Sequence, residues 1–266
     1  MRLGEATWRE VDRARRSDDD GTLAPVVLVP VGSTEQHGPH LPLATDTLVA
    51  EEVARRALRR TTGLVLGPTI SVSASGEHAG FAGTLSIGTA AMTLVAVELA
   101  RSADWAAGVV FVNGHGGNHD ALTAAVGTLV GEGRSVLSWW PRWRRRRDGG
   151  PPDLHAGRIE TSLMLAIDPG LVRLQLAVRG PRTELDELLP ALRAHGVGHV
   201  SPSGVLGDPT GASGGEGERF LDDFVADLVN EIERWRPVDD DAAPRRDGAD
   251  DARSAGPPDG PAPGGG

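Results

Sequence analysis

The sequence predicts a three-layer α/β/α sandwich with a mostly parallel sheet over residues 1–236, on three observations. Short continuous apolar runs such as Val26–Val31 read as strands buried on both faces. Stretches with helical apolar spacing separate those runs, and strands joined through helices pair in parallel by right-handed crossovers. The chain is long enough, at 266 residues and 39% hydrophobic, to bury one large core or two small ones.

The elements follow in order. After the strand Val26–Val31, Thr45–Arg60 reads as a helix, with Thr45 or Asp46 at its N-cap and Leu48, Val49, Val53, Ala57 and Leu58 as its apolar stripe. Residues 63–67 form a second strand and 90–102 a second helix behind the cap candidate Thr89. Val109 to Val112 is a third strand, 118–130 a third helix and 135–139 a fourth strand. Later helices fit 159–167, 183–194 and 216–235. No internal repeat is present.

Residues 237–266 are Pro, Gly, Ala, Asp and Arg with almost nothing to bury, and they read as a disordered acidic tail. Deleting them is expected to leave the melting temperature and metal content unchanged; a drop of several degrees would show that the tail docks.

Composition excludes several classes. Lys+Arg is 27 against Asp+Glu 37, a net charge of −10, which argues against nucleic acid as a partner. Without cysteine there is no disulfide framework, thiolate nucleophile, cysteine zinc site or iron–sulfur cluster. No apolar run approaches the roughly 18 residues of a membrane span, and no signal-peptide core follows Met1. The expected location is cytoplasmic, with no membrane partner.

Chemistry concentrates in four Gly-rich segments that hold six of the eight histidines: Gly32 to His40, Gly76-Glu77-His78, Asn113 to His119, and His155-Ala156-Gly157. Two of them directly follow predicted strands, where parallel α/β sheets bind ligands. Glu35 and His37 are two apart and point to one side of an extended segment. Asp46 begins the helix that packs back beside the same strand end, and His115 comes from another. Carboxylates and imidazoles so mixed suit Zn²⁺, Fe²⁺ or Mn²⁺, and a shared carboxylate suits a two-metal hydrolase. The bland alternatives are an N-cap for Asp46 and a turn hydrogen bond for His115.

Rival chemistries are weaker. Gly114-His115-Gly116-Gly117 imitates a dinucleotide loop, but the third fingerprint glycine falls on His119 and no acidic residue ends the next strand. The chain has no lysine for a phosphate loop, no Gly-x-Ser-x-Gly elbow and no His-Glu-x-x-His helix. Glu35 and Asp46 as a glycosidase pair is disfavoured by the adjacent histidines.

Glu35-Gln36-His37-Gly38-Pro39-His40-Leu41-Pro42-Leu43-Ala44-Thr45-Asp46, Asn113-Gly114-His115-Gly116-Gly117-Asn118 and His155-Ala156-Gly157-Arg158-Ile159-Glu160-Thr161-Ser162 resemble the creatininase (creatinine amidohydrolase) family. Thr7 to Val11 and Gly76 to Thr84 agree in order and spacing, so the resemblance runs from about residue 5 to residue 236. Within the family, the Gly-Gly histidine loop looks most like the mycofactocin-system peptidases.

The resemblance implies a binuclear metal hydrolase. Glu35 and His115 would bind one ion, His37 the other, and Asp46 both. A hydroxide between the ions would attack, and His155 would pass a proton to the leaving nitrogen. It also implies a homo-oligomer built from dimers. Creatininase itself carries a ligating glutamate and a substrate-contacting aromatic where this chain has Gly117 and Gly116, which argues against creatinine and for a wider pocket. Glu160 is the candidate to complete the second ion. It lies five residues after His155, so both reach one site only if His155 precedes the helix. The alternative is a first-turn carboxylate favoured by the helix dipole. Glu77, His78, Gly116, Gly117, Trp140 and Trp143 are candidates for substrate contact.

Ser138 to Arg147 is the one strongly basic patch, read either as a solvated loop or as a lid that attracts a peptide carboxylate. Under the lid reading, replacing Arg144 to Arg147 with Ser is expected to raise KM more than it lowers kcat; an unchanged KM rejects it. Three functions follow: a peptidase that releases a modified C-terminal dipeptide from a small modified peptide, a cyclic-amide or formamide hydrolase, and a non-catalytic scaffold with one structural metal. Two ions per chain fit a hydrolase, and one closed tetrahedral site fits the scaffold.

Overall fold

Val26–Val31 forms strand β1, buried along its whole length, because an unbroken apolar run satisfies both faces of a covered parallel sheet. The computed structural model describes residues 1–16, 24–141 and 153–236. Within Met1–Arg236, one compact unit, β1 pairs in parallel with β2 (Leu64–Leu66) on one side and β3 (Gly108–Asn113) on the other. β4 (Val136–Trp139) adds in parallel to β3, so the sheet order is β2-β1-β3-β4.

Alternate side chains feed two cores. Val26, Leu28, Leu64, Leu66, Val110 and Val112 pack with α2 (Thr45–Arg60), α5 (Arg158–Ile167) and α8 (Gly214–Trp235). Val27, Val29, Val31, Val109 and Phe111 pack on the other face, with α3 (Gly88–Ser102) and α4 (His119–Gly131). The predicted α/β/α layering is the observed one. On α8 the buried set Leu221, Phe224, Val225, Leu228 and Ile232 follows the helical period.

Helix starts differ from expectation in informative ways. The N-cap of α2 is Ala44, with no side-chain cap, and Ile87 rather than Thr89 caps α3. Tertiary packing of the apolar stripes compensates for the missing caps. An additional helix, α1 (Trp8–Arg15), buries none of its residues and starts with a capping box in which Thr7 and Glu10 satisfy each other's backbone N–H groups. Two more helices close the C-terminal half, α6 (Leu185–His195) and α7 (Val197–Val200). No helix among the described residues is long and apolar enough to cross a membrane.

The strand order fixes where a site forms. From β1 the chain crosses on one face to β2, then returns on the other face to β3. The connections leave β1 and β3 in opposite directions, which opens a crevice at their carboxyl ends.

Candidate metal centre

Glu35, His37 and Asp46 enter this crevice from the segment after β1, and His115 enters from the turn after β3. The first turn of α2 is pressed onto both strand ends. A Cβ on Gly32 would stand 2.3 Å from the Thr47 backbone, and one on Gly114 would stand 2.5 Å from the Asp46 carbonyl oxygen. Only glycine lets the helix come this close, and the approach carries Asp46 inward rather than to a capping position.

Asp46 faces two histidines with different oxygens. Its Oδ1 lies 3.1 Å from His37 Nε2, while its Oδ2 lies 3.0 Å from His115 Nδ1 and accepts a 2.9 Å hydrogen bond from Ser33 Oγ. His115 Nε2 stands 3.2 Å from Glu35 Oε2, and His78 Nε2 3.3 Å from Glu35 Oε1. Glu160 Oε2 lies 3.9 Å from His37 Nε2 and accepts from the Ala156 backbone N–H at 2.5 Å. The condition on His155 and Glu160 is met. His155 lies before α5, Ala156 takes a left-handed φ of 52°, and the helix begins at Arg158. Both side chains therefore reach one cluster.

Charge within the cluster is arranged to attract cations. Burial, the largest influence, opposes ionisation of Glu35, but its interactions with His115 and the His78 charge together outweigh it and hold the carboxyl at about 2. Burial also opposes the charge on His37, yet Asp46, with Glu160 and Glu35, raises it to about 10. His115 is raised as well, by Glu35 and Asp46 against burial, and Asp46 is lowered by His37 and His115 against burial. Glu160 is pushed up to about 8, chiefly by burial. Burial lowers His78 to about 4 and, with the His37 charge, lowers His155 too. Protons on His37 and His115 thus offset Glu35 and Asp46, positions where bound cations would displace them.

The donor set fits metal ions. Both Glu35 oxygens are buried and receive no hydrogen bond, an expense of free energy unless something coordinates them. Ligands about 2.0–2.2 Å from a tetrahedral ion stand roughly 3.3–3.6 Å apart, which the observed separations bracket. Among the described residues three overlapping sets could hold an ion: Glu35–Asp46–His115, His37–His155–Glu160 and Glu35–His78–His155.

Other sequence candidates fall around this cluster. Glu77 Oε1 lies 3.5 Å from His115 Nε2. Gly116 is exposed at the start of the turn before α4. At Gly117 the expected extra room is not there. A Cβ would stand 2.4 Å from both Glu77 Oε1 and His115 Nε2, and 2.5 Å from the Ala74 carbonyl oxygen. Glu77 and the imidazole fill the space that a side chain on residue 117 would need. Gly117→Ala is accordingly expected to lower the melting temperature by several degrees, since overpacking costs about 1–3 kcal/mol, and to weaken metal retention through His115. A variant with unchanged stability and metal content would show the site yields easily. Trp140 lies beyond β4, its ring 5.5 Å from that of His119, beside a cavity of about 220 Å³ shared with Asn113, Thr123, Ser138 and Glu231. Trp143 and Arg144 to Arg147 lie outside the described residues.

Sequence reasoning missed the supports. Asn118 Nδ2 donates to the Gly32 carbonyl at 3.0 Å and its Oδ1 accepts from Ala74 N–H at 3.1 Å, tying three segments together. Asn113 pins the histidine turn through His115 N–H and carbonyl. Gln36 contacts both His78 and His155. The asparagines flanking the Gly-rich loop were the available signal, since Asn bonds its neighbouring backbone.

Comparison with known proteins agrees with this geometry. The family model Creatininase, described as creatinine amidohydrolase, matches residues 4–232. The mycofactocin precursor peptide peptidase of Mycolicibacterium smegmatis is 48% identical over 241 residues, covering 88% of this chain and 92% of that protein. Among solved structures, a Zn-Zn type creatininase variant superposes with a TM-score of 0.69 at 25% identity, over 89% of this chain and 98% of its own. A manganese creatininase superposes at 0.67 and 25%, over 89% and 99%. The family match spans nearly all of Met1–Arg236 and its solved members share the fold, so the chain belongs to the creatininase family of metal-dependent amidohydrolases.

Proposed function

We propose that this chain is a peptidase that cleaves a short modified mycofactocin precursor peptide near its C-terminus and releases a modified dipeptide. The peptide substrate is supported by the 48% identical relative of that name. A pair of cations is supported by one observation above others: Asp46 turns a separate oxygen toward each of His37 and His115. Glu35, Asp46 and His115 would hold one divalent ion, and His37, Asp46 and Glu160 the other. Zinc and manganese occur in the solved relatives, and Fe²⁺ suits the same donors. When bound, the ions supply a polarised scissile carbonyl and an activated water.

The chain's own residues do the rest. His155, buried against the rings of His37 and His78 at 4.3 and 4.6 Å, would pass a proton to the departing amine nitrogen. Glu77 and His78, beside His115 and Glu35, are the proposed substrate contacts. Assembly is proposed as a homo-oligomer of dimers, in the cytoplasm. A second reading has its own support: His155 converges with His37 and Glu160 closely enough to be a ligand itself.

Incubation with precursor-like peptides and with creatinine under Fe²⁺, Zn²⁺ and Mn²⁺, read by mass spectrometry, tests the proposal. Release of a C-terminal dipeptide is the expected result. Creatinine turnover without peptide cleavage would favour the cyclic-amide hydrolase, and neither reaction with one ion per chain would favour the scaffold.

A further inference from the structure

The hydrogen bonds around Gln36 are determined in a way that the roles above do not use. Its amide orientation is fixed at both ends: Oε1 accepts from the Gly38 backbone N–H at 2.9 Å, and Nε2 donates to the Gly204 carbonyl at 3.2 Å. One amide hydrogen remains, with two imidazole nitrogens in reach, His78 Nδ1 at 2.8 Å and His155 Nε2 at 3.0 Å. The backbone decides between them. His155 Nε2 also stands 2.8 Å from the Gln36 main-chain oxygen, which can only accept, so this nitrogen carries a hydrogen and donates. The amide hydrogen therefore goes to His78 Nδ1, which must present a bare lone pair.

We infer that Gln36 is a positioning residue that fixes the tautomers of two histidines, its side chain setting His78 and its main-chain carbonyl setting His155. The neutral imidazole has one bare nitrogen and one N–H. His78 thus carries its hydrogen on Nε2, the atom 3.3 Å from Glu35 Oε1, so an N–H rather than a lone pair faces that carboxylate. This removes His78 Nε2 from the candidate ligands. His155 presents its bare Nδ1 to the cluster, 3.9 Å from Glu35 Oε1. It is ready to take a proton from attacking water and then deliver it to the leaving amine. One residue between Glu35 and His37 so makes one histidine turn an N–H toward the cluster and the other a lone pair. Outer hydrogen bonds of this kind set which ring nitrogen faces a site.

The kinetic arm of the test rests on the peptidase reading, and the spectroscopic arm does not. Nitrogen-15 NMR of histidine-labelled full-length protein, metal-free and zinc-loaded, reads each ring nitrogen directly. In the wild type, His78 is expected to be protonated at Nε2 only and His155 to keep its hydrogen on Nε2. Gln36→Glu replaces a donor by an acceptor of the same shape, so His78 should take up a hydrogen on Nδ1 while His155, bonded to the main chain, stays unchanged. Peptide turnover should fall by about 10–100-fold in kcat with little change in KM. A wild-type His78 protonated at Nδ1, or a Gln36→Glu protein whose His78 is unaltered, overturns the inference. The wild-type spectrum decides by itself if the variant does not fold. Tautomers as expected in a wild type that cleaves no peptide would reject the peptidase reading alone.

Discussion

Asp46→Ala is expected to abolish turnover and to release both cations, the largest effect of any single substitution in this chain. The carboxylate is buried and its oxygens face His37 Nε2 and His115 Nδ1 separately. Its loss deprives each proposed ion of a ligand and leaves the remaining positive charges to repel each other. The fold should survive, because α2 starts after Ala44 without a side-chain cap from Asp46 and is held by buried Val49, Val53 and Ala57, none of which depends on Asp46. Stability should still fall. Breaking a buried charged group's pairing costs about 3–5 kcal/mol. Elemental analysis with a thermal melt checks both parts, and two ions retained per chain would refute the shared-ligand role.

His155→Ala should keep both ions and lose about 10²–10⁴ in kcat, the usual contribution of a positioned acid–base group. The substitution also strips the Gln36 main-chain oxygen of its donor, which adds about 1–3 kcal/mol of destabilisation. Metal content separates this outcome from the competing one. An ion lost from a folded variant would make His155 a ligand with His37 and Glu160.

The layers were legible because hydrophobic periodicity is a local property. β1 reads as a strand from six consecutive residues, and α8 as a helix from apolar spacing alone. The short α1 escaped because it buries nothing, although its Thr7–Glu10 capping box was in plain sight. The cluster was legible in part, since Glu35, His37 and His115 follow strand ends where such sheets bind ligands. Gln36 stood inside the same motif and was passed over. Its partners Gly204, His78 and His155 are 168, 42 and 119 residues away, and no spacing rule reports contacts of that range. Of the roomier pocket inferred from Gly116 and Gly117, the part at Gly117 is not there, for a related reason. A missing side chain makes space only if no neighbour fills it, and Glu77 does.

By itself the sequence determined the α/β class, the order of the strands and of the helices other than α1 and α7, the absence of thiol chemistry and the carboxylate–imidazole composition of the site. Composition and period suffice for these because each depends on residues a few positions apart. Only the tertiary structure decided that Asp46 turns inward instead of capping, that the left-handed turn at Ala156 sends His155 and Glu160 into one cluster, and which nitrogens of His78 and His155 face it. Those outcomes depend on the close approach of α2 to two strand ends and on hydrogen bonds among segments far apart in the chain. Burial then sets their charges, since a carboxylate or imidazole taken out of water is governed by the few groups packed against it.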